Sequence, residues 1–175
     1  MIHALVPHDD FPPPPGVGLS VGWSMDAQSR LRIDYHVDDP ECLIRWHDSG
    51  SGRTDGLWQH SCLEAFVASP TTPGYAEFNL ARSGAWAAYA FDAYRAGMRD
   101  MAMEEEPQIM TDAAGLSAVT LGLSGLASQI GAPPWRLAIT AVIEARDGSK
   151  SYWSLAHPPG KPDFHHPDCF AAQLG

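Results

Sequence analysis

Basic side chains are scarce in this sequence, and lysine is almost missing. Eleven Lys and Arg residues stand against 21 Asp and Glu residues, which gives a formal net charge of −10 at pH 7. Lys150 and Lys161 are the only lysines. Nucleic acids and anionic membranes are bound through clusters of basic side chains. The composition therefore predicts neither a nucleic acid nor a membrane surface as a partner.

Cysteine is also rare, and long apolar runs do not occur. Cys42, Cys62 and Cys169 form no CxxC pair, which argues against a disulfide framework and against a structural zinc site. A membrane span needs a run of about 18 apolar residues, and the sequence has none. The short apolar stretch at the N-terminus lacks a preceding basic region and is interrupted by Pro7, unlike a secretory signal. We expect a cytoplasmic protein with free thiols.

The common short motifs of enzymes are missing as well. The sequence contains no GxGxxG, no Walker loop, no HExxH and no GxSxG, and residues 122–125 only approach the last of these. Catalytic triads assemble from distant positions, so a Ser/His/Asp or Cys/His site stays open. The sequence leaves enzymatic activity uncertain and names no catalytic residue.

Turn-forming residues, in contrast, are abundant. The 16 glycines and 15 prolines make up about 18% of the 175 residues, above the usual share of about 12%. Such a composition is typical of many turns and few long helices. Four consecutive prolines predict a stiff, extended lead-in over residues 1–16, and residues 158–175 read as an irregular, polar tail that caps the domain.

Between these segments, apolar residues recur with the period of two that is typical of β-strands. Residues 85–94 also fit a helical face, but a short glycine turn before them favours a strand. The predicted strands are 17–25, 31–37, 57–68, 75–81, 85–94, 116–123, 135–145 and 150–157. Hairpin turns are expected at 26–29 and 147–148, and one short helical turn at 124–131. The pattern predicts an all-β, jelly-roll-like antiparallel β-sandwich of eight to ten strands with at most one or two short helices, forming one domain over residues 1–175.

Polar side chains in the middle of two predicted strands are the first candidates for a site. Glu64 shares a strand face with Phe66, so its carboxylate must find partners or raise its pKa. Glu77 and Asn79 share one face of the next strand, and antiparallel pairing would bring Asn79 near Glu64. A carboxylate, an amide and nearby indoles form a platform suited to a sugar. The alternative is that Glu64 is a structural carboxylate satisfied by its neighbours.

The polar tail contains residue types that can ligate metals. His157, His165 and His166 lie close in sequence to Asp163, Asp168 and Cys169. Their spacing matches no recognisable metal site. We therefore predict no metal centre, and a role for the tail as a cap.

Three segments together resemble a known family. They are 57–67 (LWQHSCLEAFV), 75–80 (YAEFNL) and 83–89 (SGAWAAY), and residues 151–158 (SYWSLAHP) extend the likeness. They resemble bacterial DOMON-like proteins related to family 9 carbohydrate-binding modules, over about residues 16–170. The resemblance implies a β-sandwich of jelly-roll type, and relatives that bind sugars or haem without being catalysts themselves.

The resemblance also implies candidate ligand-binding residues. Sugar-binding relatives clamp the sugar between paired tryptophans, and Trp58 and Trp86 match the aromatic positions of the pattern. Haem-binding relatives use one Met and one His as axial ligands. The methionines available for that role are Met25, Met98, Met101, Met103 and Met110, and none is matched by a motif. The predicted ligand-binding set is Trp58, Glu64, Glu77, Asn79, Trp86, Trp153 and His157.

The resulting functional hypothesis is a non-catalytic module that binds a saccharide or a related polyhydroxylated ligand. No cofactor is expected. A haem-binding electron-transfer domain is one alternative. A second is a small cytoplasmic enzyme that uses Glu64 or a histidine as general base, and a third is a protein-interaction unit with a flat apolar patch.

Overall fold

The computed structural model describes residues 1–112 and 116–174, and these fold into two β-sheets. The strands are β1 (His3–Ala4), β2 (Val6–Pro7), β3 (Gly18–Met25), β4 (Arg30–Asp38), β5 (Gly52–Arg53), β6 (Cys62–Ala68), β7 (Tyr75–Leu80), β8 (Ala85–Phe91), β9 (Arg99–Asp100), β10 (Gln108–Thr111), β11 (Leu116–Gly122), β12 (Trp135–Glu144), β13 (Lys150–Ser154) and β14 (Ala172–Leu174). One short α-helix, α1 (Leu126–Ile130), and two 3-10 turns, Leu57–Gln59 and Pro167–Cys169, join them.

The smaller sheet has the order β1-β3-β4-β11-β10, and the larger sheet has the order β2-β13-β12-β6-β7-β8-β5. In the larger sheet β14 also pairs with β12, and β9 pairs with β8. Among the described strands every pairing is antiparallel except that of β5 with β8. The predicted all-β antiparallel sandwich is confirmed.

Alternating side chains place the main core between the two sheets. Leu63, Ala65 and Val67 of β6 lie in the same buried cluster as Leu31 and Ile33 of β4. The intervening residues of β6 point to the opposite face of the larger sheet, because successive side chains of a strand alternate. That second face, called the outer face below, carries its own aromatic cluster.

One hydrogen bond ties the two sheets together at the middle of β6. Tyr35 of β4 is fully buried, and its hydroxyl donates to the backbone carbonyl of Glu64 at 2.7 Å. The strand that carries Glu64 is therefore held from below by the smaller sheet, and from both sides by β7 and β12.

Both predicted hairpins form. In the first, the Asp26 side chain accepts from the backbone N–H groups of Gln28 and Arg30, which fixes the turn between β3 and β4. In the second, Gly148 takes a φ of 86° that other residues rarely adopt, so the chain can reverse between β12 and β13. The segment 85–94 is a strand over Ala85–Phe91, and the helical turn predicted within 124–131 is α1.

Three predicted segments differ from the structure. The strand expected over 57–68 begins only at Cys62, because Gly56 turns the chain at a φ of 76° into the 3-10 turn Leu57–Gln59. The lead-in contains β1 and β2, which pair with β3 and β13. The tail is more regular than expected, since β14 adds to β12. Within the described residues, no helix has the length and apolar character that crossing a bilayer requires.

Candidate ligand-binding cleft

A cleft of about 780 Å³ opens on the outer face of the larger sheet. Its floor is built from side chains of five neighbouring strands, β13, β12, β6, β7 and β8. They are Tyr152, Val142, Glu64, Phe66, Glu77, Tyr89 and Phe91. The walls come from the 3-10 turn that holds Trp58, from the loop after β8 that holds Arg95 and Met98, and from the tail at Pro162, Phe164 and His165. The site is thus a concave surface outside the sandwich core.

The tail wall is fixed to the sheet by charged and aromatic contacts. Asp163 accepts two hydrogen bonds from the Arg95 guanidinium, at 2.7 and 3.2 Å, and one from the Tyr94 hydroxyl. Further along, Arg136 of β12 donates to the carbonyls of Pro167 and Phe170. These contacts hold residues 163–170 over the outer face, so the predicted capping tail forms one side of the cleft.

Two carboxyl groups lie next to each other in the floor. Glu64 Oε2 accepts from the Thr140 hydroxyl at 3.3 Å, and Glu77 Oε1 accepts from the Asn79 amide at 2.8 Å. Both glutamates are buried. Burial raises the pKa of Glu64 well above its usual value, and the neighbouring charge of Glu77 raises it further. Burial also raises the pKa of Glu77, against the lowering effects of Asn79 and Arg95. The floor is therefore biased towards protonated carboxyl groups.

A histidine in the tail wall faces this pair. His165 Nδ1 and the Tyr75 hydroxyl are 2.7 Å apart, and the imidazole is surrounded by the rings of Phe66, Tyr75 and Phe91. Burial and then the Arg95 charge lower the pKa of His165 to about 4. Its Nε2 lies 3.9 Å from Glu77 Oε2, which is too long for a hydrogen bond. With a neutral imidazole beside a carboxyl group of raised pKa, this contact is not an ion pair at neutral pH.

The mouth of the cleft exposes a large aromatic side chain. Trp58 is 53% exposed, unlike a core tryptophan, because the 3-10 turn carries it away from the sheet. Met98, also largely exposed, lines the same cleft. An exposed indole at the mouth of a cleft whose floor holds two buried carboxyl groups gives a ligand ring an apolar surface and polar partners together.

The structure brings together only part of the predicted binding set. Glu64 and Asn79 are paired in register across β6 and β7, as expected, and Trp58, Glu64 and Glu77 line the cleft. Asn79 is fully buried and holds the Glu77 carboxyl group in place. Asn79 therefore affects the cleft only indirectly, by orienting the Glu77 carboxyl group.

The other predicted residues lie elsewhere. Trp86 and Trp153 are 5% and 3% exposed and pack in the core between the sheets, because their strand positions point inward. The predicted clamp of Trp58 and Trp86 therefore does not form. His157 lies in a separate depression, where its Nε2 donates to the carbonyl of Val6 at 2.8 Å and joins the tail to β2.

The methionines proposed as haem ligands are dispersed. Met98 shares the cleft with His165, whereas Met101 is buried in the core and Met110 lies exposed on β10 of the smaller sheet. Met25 and Met103 pack at the edge of the core. Haem binding stays a prediction.

Several cleft residues were not predicted from the sequence. Tyr152, Tyr89 and Phe91 continue the outer-face alternation of their strands, so the period of two could have identified them once the outer face was known to be covered. Arg95 and His165 lie in irregular segments, where no periodic signal exists. Among the described residues, the tail histidines, Asp163, Asp168 and Cys169 form no group with metal-ligand spacing.

No protein-family model matches this sequence, and neither does any curated protein. The fold has a counterpart among solved structures. A crystal structure from Bacteroides uniformis, named as a "putative carbohydrate-binding protein", is similar with a TM-score of 0.68. The similarity covers 99% of this chain and 84% of that chain, and the sequences are 14% identical. At this identity the likeness shows a shared fold.

Proposed function

We propose that this chain is a non-catalytic module that binds a saccharide, or a related polyhydroxylated ligand, in the outer-face cleft. The observation that carries the proposal is the exposed indole of Trp58 above a floor of buried carboxyl groups. A pyranose ring has apolar faces and a polar rim, so it needs both kinds of surface at once.

The dimensions and lining of the cleft support a small ligand. Ligand sites enclose about 300–1,000 Å³, and a volume of about 780 Å³ falls in that range. Six of the sixteen lining residues are Phe, Tyr or Trp and seven are polar or charged, so the cleft offers both apolar and hydrogen-bonding surface. The aromatic floor residues Phe66, Tyr89 and Tyr152 offer further apolar area below the mouth.

The charge state of the floor favours a neutral ligand. A protonated carboxyl group both donates and accepts a hydrogen bond, as a sugar hydroxyl does. The raised pKa values of Glu64 and Glu77 move both groups towards that form. Arg95 and Lys150 at the rim supply donors, and an anionic group on the ligand is not required.

Two similarities support the same proposal. The solved structure with the shared fold is itself named for carbohydrate binding. The sequence motifs around Trp58, Glu77 and Trp86 resemble DOMON-like proteins related to family 9 carbohydrate-binding modules. Membership of that group and a cytoplasmic location are parts of the proposal that rest on the sequence alone.

The experiment is a glycan array followed by titration calorimetry on the best-bound saccharide. We expect Trp58→Ala to weaken binding by about tenfold or more, because covering about 60 Å² of indole contributes about 1.5 kcal/mol. The matched control is Met110→Ala, which removes a comparably exposed apolar side chain from the other sheet. Absence of binding to any saccharide refutes the proposal. If Trp58→Ala and Met110→Ala bind the saccharide equally well, the cleft is not the binding site.

A second candidate is an enzyme that uses Glu64 as general acid or base. The observation that favours it is the adjacent pair of buried carboxyl groups with raised pKa values, an arrangement that acid–base enzymes use. The test is product analysis after incubation with the bound saccharide. Turnover that Glu64→Gln abolishes while binding persists would establish catalysis, and an unchanged ligand would exclude it for that substrate.

A further inference from the structure

Two histidines and a glutamate meet at the rim of the cleft, where β12 ends. Glu144 is the last residue of β12, and its side chain is 8% exposed. His60 follows the 3-10 turn of Trp58 and lines the cleft. His47 lies three residues after Ile44, which forms a β-bridge with Ala145 directly after the end of β12. None of the three belongs to the tail that the sequence singled out for metal-ligand residue types.

The three side chains point at one another through single ligand atoms. His60 Nδ1 is 2.7 Å from Glu144 Oε2, and His47 Nε2 is 3.1 Å from the same oxygen. All three ligand atoms lie within 4.8 Å of one another. A cation with bonds of about 2.0–2.2 Å in tetrahedral geometry separates its ligands by roughly 3.3–3.5 Å. The three atoms can reach that spacing by shifts of less than about 1 Å.

The two imidazole rings are also close to each other. Both imidazoles address the same carboxylate oxygen, and their rings lie 3.8 Å apart at 31°. With its proton on the other ring nitrogen, each neutral imidazole offers a lone pair to a cation. One divalent cation between the three atoms satisfies both nitrogens and the carboxylate together.

The backbone around the cluster is held in place. Ser61 Oγ accepts from the Glu144 N–H at 2.9 Å and donates to the Arg45 carbonyl at 2.8 Å. The Arg45 N–H donates to the Glu144 carbonyl at 2.8 Å. The Arg45 guanidinium lies 3.6 Å from Glu144 Oε1, which leaves Oε2 to the histidines. These contacts fix the backbone of Glu144 and the orientation of its carboxylate relative to the two histidines.

We propose that His47 Nε2, His60 Nδ1 and Glu144 Oε2 form a binding site for one divalent transition-metal ion, with Zn²⁺ the best match. Two imidazoles and a carboxylate suit Zn²⁺ and its neighbours in the first row, whereas Ca²⁺ and Mg²⁺ prefer oxygen ligands alone. Three protein ligands leave a fourth position open. His60 is 48% exposed at the cleft rim, so that position is accessible to water or to a bound ligand. The three ligands are in place without a bound saccharide, so this proposal does not rest on the proposed function.

The experiment uses the full chain without a histidine tag, after removal of metal with a chelator. Zn²⁺ is titrated against a chromophoric competitor, and Co²⁺ is added separately to record the visible bands of a four-coordinate ion. The variants are His47→Gln and His60→Gln, and the control is His166→Gln in the tail, another partly exposed histidine. Circular dichroism checks that each variant is folded.

We expect one equivalent of Zn²⁺ in the unaltered protein and in the His166→Gln control. Changes beside a metal ligand already weaken binding by about 10- to 100-fold, so the loss of a direct ligand should weaken it at least tenfold. The Co²⁺ bands should disappear in both ligand variants. Zinc binding by His60→Gln equal to that of the unaltered protein would overturn the proposal. So would an unaltered protein that binds zinc no more tightly than the His47→Gln/His60→Gln double variant does. If His47→Gln does not fold, the half-exposed His60 decides the question.

Discussion

The buried imidazole of His165 makes a quantitative prediction about stability and pH. In the folded chain its pKa is lowered from 6.5 to about 4, chiefly by burial and then by the Arg95 charge. In the unfolded chain the same group takes up a proton as the pH falls through about 6.5. The free energy of unfolding is therefore unaffected by this group above pH 6.5, and it falls between pH 6.5 and about 4.

The size of the effect follows from the gap between the two pKa values. One pKa unit corresponds to about 1.4 kcal/mol, so the gap is equivalent to about 3 kcal/mol. Glu64 and Glu77 act in the opposite direction, because a raised carboxyl pKa makes stability decrease as the pH rises. The contribution of His165 must therefore be isolated by comparing variants.

The assay is urea unfolding of the unaltered chain and His165→Gln at about pH 7.5 and about pH 4. Glutamine keeps a polar side chain but does not titrate. Packing losses appear at both pH values and cancel. We expect the stability advantage of histidine over glutamine to shrink by about 3 kcal/mol at the lower pH.

The control is His166→Gln, which changes the adjacent, more exposed imidazole. Its stability difference from the unaltered chain should change by less than about 0.5 kcal/mol between the two pH values. If His165→Gln behaves like this control, the imidazole is hydrated, and the tail does not close the cleft wall as described.

Further expectations concern the floor, the link between the sheets and the thiols. Glu64→Gln should raise the melting temperature at neutral pH more than at pH 4, because burial disfavours the ionised carboxylate; an equal change at both pH values would contradict the raised pKa. Tyr35→Phe should lower the free energy of unfolding by about 1 kcal/mol in denaturant titrations, and no loss would mean that the hydroxyl bond contributes nothing. Iodoacetamide at neutral pH should modify exposed Cys42 first, as read by mass spectrometry. Burial raises the pKa of the Cys62 thiol, and that of Cys169 to about 11, so rapid labelling of either would argue against the described core.

The sequence was most informative where side chains alternate along a strand. The period of two predicted β3, β4 and the turn between them, and it placed Glu64 opposite Asn79. Local pattern suffices for such elements because strand faces follow directly from the pleat. The predicted strand of Glu64 also reached back to Leu57, because both faces of residues 57–68 carry apolar side chains, which is typical of a central strand. The turn that begins at Gly56 overrides that pattern.

The remainder of the cleft depends on contacts between distant segments. Whether a tryptophan faces the core or the ligand is set by which sheet face is covered, so Trp86 and Trp58 look alike in the sequence and differ in the structure. His165 reaches the floor because Arg95 holds Asp163. Arg95 and Asp163 are 68 positions apart in the sequence. His60 and Glu144 are 84 positions apart. No local signal marks such pairs.

The short segment around Leu5 pairs with strands that are synthesised at very different times. β1 and β2 flank Leu5 and belong to different sheets. The partner of β1 is β3, which emerges soon afterwards, but the partner of β2 is β13, which ends at Ser154. Contacts between residues so far apart in sequence form slowly, and they cannot form before the later strand has been synthesised. Val6–Pro7 can therefore pair only after β13 has emerged, and a nascent chain stalled before β13 would leave that edge of the larger sheet unpaired.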